Sequence, residues 1–307
     1  MYDLIIIGAG PAGVAAGVYA SRKRLNTLLL TEEIGGQSVV SDGIENWIGT
    51  TKIAGSDLAK SFDEHLEAYK GEWLTKKTGA RVSNIQKTEN GFMVSTAHGE
   101  TYTARAVLIG SGAGRKKLTV PGADTFENKG VVYCASCDGP LFADQDVVVI
   151  GGGNAGFETV AQLLAYAKSV TIIHKHKDFK ADAITVEKVL ANPKVTALTH
   201  TVPVSVLGEK FVSGLVVENV DTKEQKTLPV AGIFVEIGVL PNTDFAKGLV
   251  ELDAVNRVVT DPRNQRTSVE GVWAAGDCTD ELYHQNNIAA GDGVKALEDI
   301  YLWLKHR

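Results

Sequence analysis

The chain is short of cysteine, of long apolar runs and of positive charge, and each shortage removes a class of function. Its three cysteines are Cys134, Cys137 and Cys278. So small and odd a number does not build a secreted disulfide scaffold. No apolar run approaches the ~18–20 residues needed to span a bilayer. The formal net charge of −6 leaves no electrostatic footprint for nucleic acid. Tyr2-Asp3 leads straight into Leu4-Ile5-Ile6-Ile7, with neither the basic region nor the small-residue cleavage site of a secretory leader. The expectation is a cytoplasmic protein that binds no nucleic acid and enters no membrane.

Glycine is abundant, at 32 of 307 residues, with 44% of the chain hydrophobic and 22% charged. Those proportions suit an α/β protein of about two domains. Two basic clusters, Arg22-Lys23-Arg24 and His174 to Lys180, interrupt the acidic balance. Without further context each reads as a solvated face.

One signal occurs twice. DLIIIGAGPAG (3–13) and DVVVIGGGNAG (146–156) match position by position: an aspartate, an apolar β-branched run, then GxGxxG. The helix-like stretches VAAGVYASRK and FETVAQLLAYAK follow. Such apolar runs read as strands buried on both faces of a parallel sheet. A GxGxxG between a strand and a helix is a dinucleotide fingerprint. Gly8 and Gly151 permit the tight turn, Gly10 and Gly153 let a pyrophosphate approach the backbone, and Gly13 and Gly156 let helix and strand pack closely. The pyrophosphate then meets free N–H groups at a helix N-terminus.

Two such units imply two dinucleotides, the layout of a flavoprotein that takes hydride from a nicotinamide. Glu32 or Glu33 stands about where a ribose-binding carboxylate is expected, ~20 residues past the first glycines. The second unit has no acid there, and its strand runs into HKHKDFK (174–180). Further glycine signals, GSGA (110–113) and AAGDC (274–278), support FAD, with Asp277 placed to bind a sugar-like hydroxyl.

Cys134 and Cys137 form a CxxC followed by Asp138 in YCASCDGP (133–140). A structural zinc site usually needs four ligands, and the other cysteine belongs to the AAGDC motif, so no metal is expected. A static crosslink across so short a loop constrains little of the unfolded chain. A redox disulfide explains more, because a small CxxC can be reached by another thiolate and has a tunable potential.

The motifs GAGPAG (8–13), GGQ (35–37), ENW (45–47), CASCDG (134–139), GGGNAG (151–156), GIFVEIGVLPNT (232–243) and AAGDC (274–278), taken together, resemble the low-molecular-weight thioredoxin reductases over essentially the whole chain. The central half is also similar to the flavoprotein part of the NADH-linked reductases that serve bacterial peroxiredoxins. The resemblance implies an α/β fold of two dinucleotide-binding, Rossmann-like domains of the FAD/NAD(P)-linked disulfide reductase type, the second inserted into the first. It places an FAD domain at 1–115 and 244–307, an NAD(P)H domain carrying the CxxC at 116–243, and a homodimer.

Carried over residue by residue, the resemblance gives Cys137 the flavin-facing role, Cys134 the attack on the protein substrate and Asp138 the acid/base role. It assigns Pro11, Ala12, Gly36, Gln37, Asn46 and Gly112 to FAD, with Gly276, His284, Gln285, Asn286 and Ala289. It assigns Asn154, Ala155, Glu158, Ile237 and Gly238 to the nicotinamide coenzyme. Two positions depart from the family pattern. The HRRxxxR that binds a 2′-phosphate reads His174, Lys175, His176 and Lys180 here, and the basic residue before the glutamine near the C-terminus is His284. Lysine lacks the fork of arginine, so NADPH is expected to be preferred by a reduced margin, with NADH possible. The expected activity is NADPH-dependent reduction of thioredoxin or of a thioredoxin-like or glutaredoxin-like protein. The alternatives are an NADH-linked reductase of a peroxiredoxin-system carrier, a ferredoxin-fed reductase, and a flavin-bound redox sensor.

Overall fold

The computed structural model describes residues 1–306 except Asp42 and Glu45, and leaves out the side chains of Val40 and Val239. Glu45 of the ENW motif therefore lies outside the described residues. The chain divides into two compact units, Met1–Gly114 with Leu240–Arg307, and Arg115–Val239.

The first unit opens with β1 (Tyr2–Ala9), α1 (Pro11–Arg22) and β2 (Thr27–Ile34). These are followed by α2 (Gly55–Lys70), β3 (Leu74–Lys77), β4 (Val82–Thr88), β5 (Gly91–Thr96) and β6 (Thr101–Ile109). The sheet order is β3-β2-β1-β6-β5-β4. β1 runs parallel to both β2 and β6, and β4 and β5 extend the sheet as antiparallel strands. Leu4, Ile5 and Ile6 are fully buried, the continuous apolar pattern of a strand covered on both faces. Each such side chain contributes about 1.5–3 kcal/mol.

The second unit is reached through β7 (Ala113–Arg115) and continues with β8 (Val131–Val132), α3 (Ala135–Asp138), β9 (Asp146–Ile150), α4 (Asn154–Leu163) and β10 (Ser169–Ile173). Then come α5 (Ala183–Leu190), β11 (Val195–Leu198), β12 (Thr201–Gly208), β13 (Val212–Asn219), β14 (Gln225–Leu228) and β15 (Gly232–Val235). Five strands form an all-parallel sheet in the order β11-β10-β9-β15-β8, while β12, β13 and β14 form an antiparallel sheet of their own. The chain leaves by β16 (Val239–Pro241) and ends with β17 (Val272–Ala274), parallel to β6, and α6 (Asn286–Lys305).

The repeated aspartate has the same duty in both units. Asp3 Oδ2 accepts the Asn26 N–H at 3.1 Å, and Asp146 Oδ1 accepts the Ser169 hydroxyl at 2.6 Å. Each pins the start of the strand that follows the helix. The Ser169 hydroxyl, helped by Lys168, holds the Asp146 carboxyl below its usual range.

The second helix is shorter than FETVAQLLAYAK suggests and ends at Leu163. The N–H groups of Tyr166 and Ala167 both donate to Leu163 O at 3.0 and 2.8 Å. That turn buries Ala167 and brings the Lys168 N–H to Gln145 O at 3.0 Å. Both helices also begin inside their glycine motifs, at Pro11 and Asn154.

The two crossing segments, β7 and β16, pair with each other. On the side of the first unit, Asn242 N–H donates to Gly112 O at 3.0 Å; on the side of the second, Lys116 N–H donates to Gly238 O at 2.9 Å. Residues 240–243 join the first unit for local reasons. Asn242 Nδ2 donates to Ser111 O at 3.0 Å, Ser111 Oγ donates to Asn242 O at 2.7 Å, and Thr243 is fully buried.

Candidate functional site

In the first unit a cavity of ≈ 770 Å³ opens at the carboxyl ends of the parallel strands. Gly8 to Ala12 border it at the end of β1 and just past it, Glu32 and Glu33 at the end of β2, Gly110 to Ala113 after β6, and Ala275 to Asp277 after β17. This is where ligands sit in open α/β sheets, at the point where the strand order reverses.

The two glycine loops are built alike. Gly8 and Gly151 have φ of +99° and +129°, and a Cβ on either would overlap a carbonyl oxygen of the neighbouring strand's exit, that of Gly110 or Glu236. A Cβ on Gly13 or Gly156 would overlap the carbonyl oxygen of Gly8 or Gly151. A Cβ on Gly10 or Gly153, by contrast, would meet no described atom within 4 Å. The first and third glycines are thus required by the protein's own backbone, and the middle one faces open space. A middle glycine with nothing to avoid inside the chain fits a pyrophosphate at the N-terminus of α1 and another at that of α4. On these grounds the first cavity fits a dinucleotide cofactor, and Glu32, Glu33 and Asp277 border it.

Around the cavity the structure brings most of the expected FAD residues together. Gly36, Gln37, Gly112, Gly276, Asn286 and Ala289 border it. Ser38 Oγ donates to Asn286 Oδ1 at 3.1 Å. Asn46 Nδ2 donates to Gln285 Oε1 at 3.1 Å, and Asn287 Nδ2 donates to Asn46 O at 2.7 Å. The segment carrying ENW is thereby tied to the start of α6. His284 Nδ1 lies 3.5 Å from Asp277 Oδ1, and that carboxylate holds the imidazole above its usual value against the opposing effect of burial. Sequence reading missed Arg81, Asn242, Asp244 and Asn256, which also border the cavity. Asn242 carries a signal, its place in VLPNT. Arg81 carries none, because only the return of β3 brings it there, 3.8 Å from Glu32.

In the second unit, Lys180 is fixed beside its glycine loop by its backbone. Its N–H donates to Gly152 O at 2.7 Å, and Asp182 N–H donates to Asn154 Oδ1 at 2.8 Å. Lys175, His176 and Lys180 are exposed, as are Asn154, Ala155 and Glu158. His174 is different. Its ring stacks on Phe179 with centroids 5.6 Å apart, and its Nε2 is buried with no hydrogen-bond partner among the described residues. Burial, then the neighbouring His176, pushes its pKa down. His174 forms part of the floor of the loop, and the exposed cations are the lysines. Ile237 and Gly238 follow β15 at the same end of the sheet, Gly238 with φ +125°.

Cys134 and Cys137 form a disulfide with Cα atoms 5.4 Å apart. Both are partly exposed. Cys134 is the N-cap of α3, and its Sγ accepts the Cys137 N–H at 3.2 Å. Asp138 closes the same short helix. Cys278 is free and fully buried, with its thiol pushed up to about 11. Among the described residues no group of three or more His, Cys, Asp or Glu is placed to hold a metal. Among the same residues no helix is long and apolar enough to cross a membrane.

Comparison with known proteins agrees with this architecture. Residues 2–293 match the family described as pyridine nucleotide-disulphide oxidoreductase. The F component of alkyl hydroperoxide reductase in Staphylococcus aureus is 38% identical over 295 residues, which is 96% of this chain and 57% of that protein. The chain therefore spans little more than half the length of that relative. Among solved structures, thioredoxin reductase from Streptococcus pyogenes superposes with a TM-score of 0.90 at 34% identity, over 100% of this chain and 99% of the other. Thioredoxin reductase from Giardia duodenalis gives 0.91 at 32% identity, over 99% of each chain.

Proposed function

The chain belongs to the pyridine nucleotide-disulphide oxidoreductase family, and from that premise we propose that it is an FAD-dependent, NADPH-linked reductase of thioredoxin or a thioredoxin-like protein. In this reading the first unit holds FAD, the inserted unit takes NADPH, and the active species is a homodimer. The observation that carries it is the Cys134–Cys137 disulfide lying in the same unit as a complete second glycine loop. Bound in the first cavity, FAD would pass on to the disulfide the two electrons received as hydride from the coenzyme.

The protein's own groups account for the rest. Cleavage of the disulfide at Cys137 leaves Cys134 as a thiolate, and the Cys137 N–H already points at that sulfur. A thiolate held by such a bond is both a good leaving group and a competent nucleophile at neutral pH. Cys134 then attacks one sulfur of the carrier's disulfide and the other leaves as a thiolate. Cys137 attacks Cys134 Sγ in the mixed disulfide, which restores the Cys134–Cys137 bond and releases the reduced carrier. Asp138 gives a proton to the departing sulfur.

Lys175 and Lys180 favour a 2′-phosphate, and no carboxylate follows β10 directly to take a ribose diol. The likeness to the alkyl hydroperoxide reductase component supports a second reading, an NADH-linked reductase of a peroxiredoxin system. Values of kcat/KM for NADPH and NADH in wild type and Lys175→Glu decide between them. NADPH should be preferred by wild type and not by the variant. A preference of wild type for NADH favours the second reading, and flavin that neither coenzyme reduces points to a ferredoxin-like donor.

A further inference from the structure

In the inserted unit the strand order reverses beside β9. From β9 the chain passes to β10 on one side, and β15 enters on the other. A dinucleotide in such a sheet lies across the carboxyl ends of the strands at that point. The lysines that suit its adenosine end follow β10, so the nicotinamide end falls beyond β15. The first residue past β15 is Glu236.

Glu236 is held in place from three directions. Its N–H donates to Ile150 O at 2.8 Å, and its carbonyl lies against Gly151. Its Oε1 accepts the Thr159 hydroxyl of α4 at 2.9 Å. The side chain is only 11% exposed, and its nearest cation, Arg115, lies 3.5 Å away, at the limit of a hydrogen bond. Burial pushes the carboxyl above its usual value, Arg115 and Thr159 pull it down, and Glu158 on α4 adds to the rise. Acidic side chains are rarely so buried, and the dithiol chemistry makes no use of this one.

We propose that Glu236 is a coenzyme-binding residue that distinguishes the two redox states of the nicotinamide, its carboxylate favouring the oxidised, cationic ring over the reduced, neutral one. The proposal rests on the reading of the inserted unit as the nicotinamide-coenzyme domain. Loss of hydride leaves a positive charge on the ring, and a carboxylate in a poorly solvated crevice interacts with that charge far more strongly than water allows. Thr159 is the positioning residue: its hydroxyl occupies one carboxylate oxygen and sets the direction of the other.

The test is calorimetric binding to the flavin-loaded full-length protein of NADP⁺ and of 1,4,5,6-tetrahydro-NADP, whose uncharged ring has no hydride to give. Glu236→Gln should weaken NADP⁺ about tenfold and change the tetrahydro analogue by less than about twofold. Thr159→Val should move NADP⁺ in the same direction by a smaller factor. If wild type binds only the NAD series, the same ratio is read with NAD⁺ and its tetrahydro analogue. Equal weakening of both ligands in Glu236→Gln, or no weakening of either, overturns the proposal alone. Binding of neither series by wild type overturns it together with the domain reading beneath it. Should Glu236→Gln fail to fold, Glu236→Asp, which withdraws the carboxylate by one methylene, supplies the same comparison.

Discussion

The imidazole of His174 lies against Gly152. A Cβ at 152 would fall 2.6 Å from His174 Cγ and 2.5 Å from Phe179 Cδ1. This contact gives His174 a packing role, beside lysines that the proposed reading sets against a phosphate. His174→Phe should keep the packing and keep any preference for NADPH over NADH across pH 6 to 8. Gly152→Ala should displace both rings, cost about 1–3 kcal/mol and raise the coenzyme KM while flavin content stays at one per chain. If His174→Phe abolishes the coenzyme preference, the imidazole meets the phosphate after all.

The glycines of the first loop should separate in the same way. Gly10 has φ −74° and ψ −174°, which any residue adopts, and open space where a Cβ would stand. Gly10→Ala should therefore melt like wild type yet purify with much less flavin. Gly13→Ala should lose stability by roughly 1–3 kcal/mol even in apoprotein, because its Cβ meets the Gly8 carbonyl oxygen. Equal flavin occupancy in Gly10→Ala and wild type would count against a pyrophosphate at that loop.

Cys137 N–H donates to Cys134 Sγ, and the proposed mechanism makes Cys134 the attacking sulfur. A carrier lacking its resolving cysteine, with its remaining cysteine activated as the mixed disulfide with thionitrobenzoate, should be captured covalently by reduced Cys137→Ser with release of thionitrobenzoate, and not by Cys134→Ser, as seen on a non-reducing gel. The opposite pattern reverses the two roles.

Cys278 predicts a thiol count. With a pKa of about 11 and complete burial, it should resist iodoacetamide at pH 8. Native, reduced protein should take up two alkyl groups per chain, and a third only after denaturation. Rapid uptake of three by native protein would show that the AAGDC segment opens.

Asp292 predicts a pH dependence of stability. It is buried on α6, where Gln265 Nε2 donates to its Oδ1 at 3.3 Å and Lys295 lies 3.1 Å away. Gln265 Oε1 and Asp292 Oδ2 are left without partners among the described residues. Burial raises the carboxyl above its ordinary value, so the protonated form is the one the fold favours. The resulting stabilisation is complete below the unfolded pKa and is lost as pH rises through the folded one. Asp292→Asn, which keeps a donor at every pH, should gain roughly 1 kcal/mol at pH 8 and flatten the curve of Tm against pH. A variant that melts lower than wild type at pH 8 would count against a raised carboxyl at Asp292.

Much of this architecture was legible in the sequence because it is local. Strand, glycine turn and helix are consecutive, and the backbone alone dictates Gly8, Gly13 and their counterparts Gly151 and Gly156. The CxxC is likewise contained within one turn. What was not legible depends on chain segments that meet only in the folded protein. Arg81 reaches the cavity only through the return of β3, and Asn46 finds Gln285 across 239 residues. His174 looked like its basic neighbours because nothing in HKHKDFK shows that the first imidazole lies over a glycine and against Phe179. Leu163 ends its helix early because Ala167 is buried, and burial is a property of the whole unit.

The pairing of β7 with β16 has a consequence for ancestry and for engineering. One residue inside each end of the inserted unit, Lys116 is hydrogen-bonded to Gly238, and two residues outside the break in the host, Asn242 is hydrogen-bonded to Gly112. A segment whose ends already touch can be removed, and the host rejoined by a linker of a few residues, without stretching either part. The doubled aspartate–strand–glycine signature is what a duplication would leave if one copy had been spliced into such a gap in the other. The same geometry makes the junction a port at which a different nucleotide-binding module could be exchanged while the first sheet keeps its strand order.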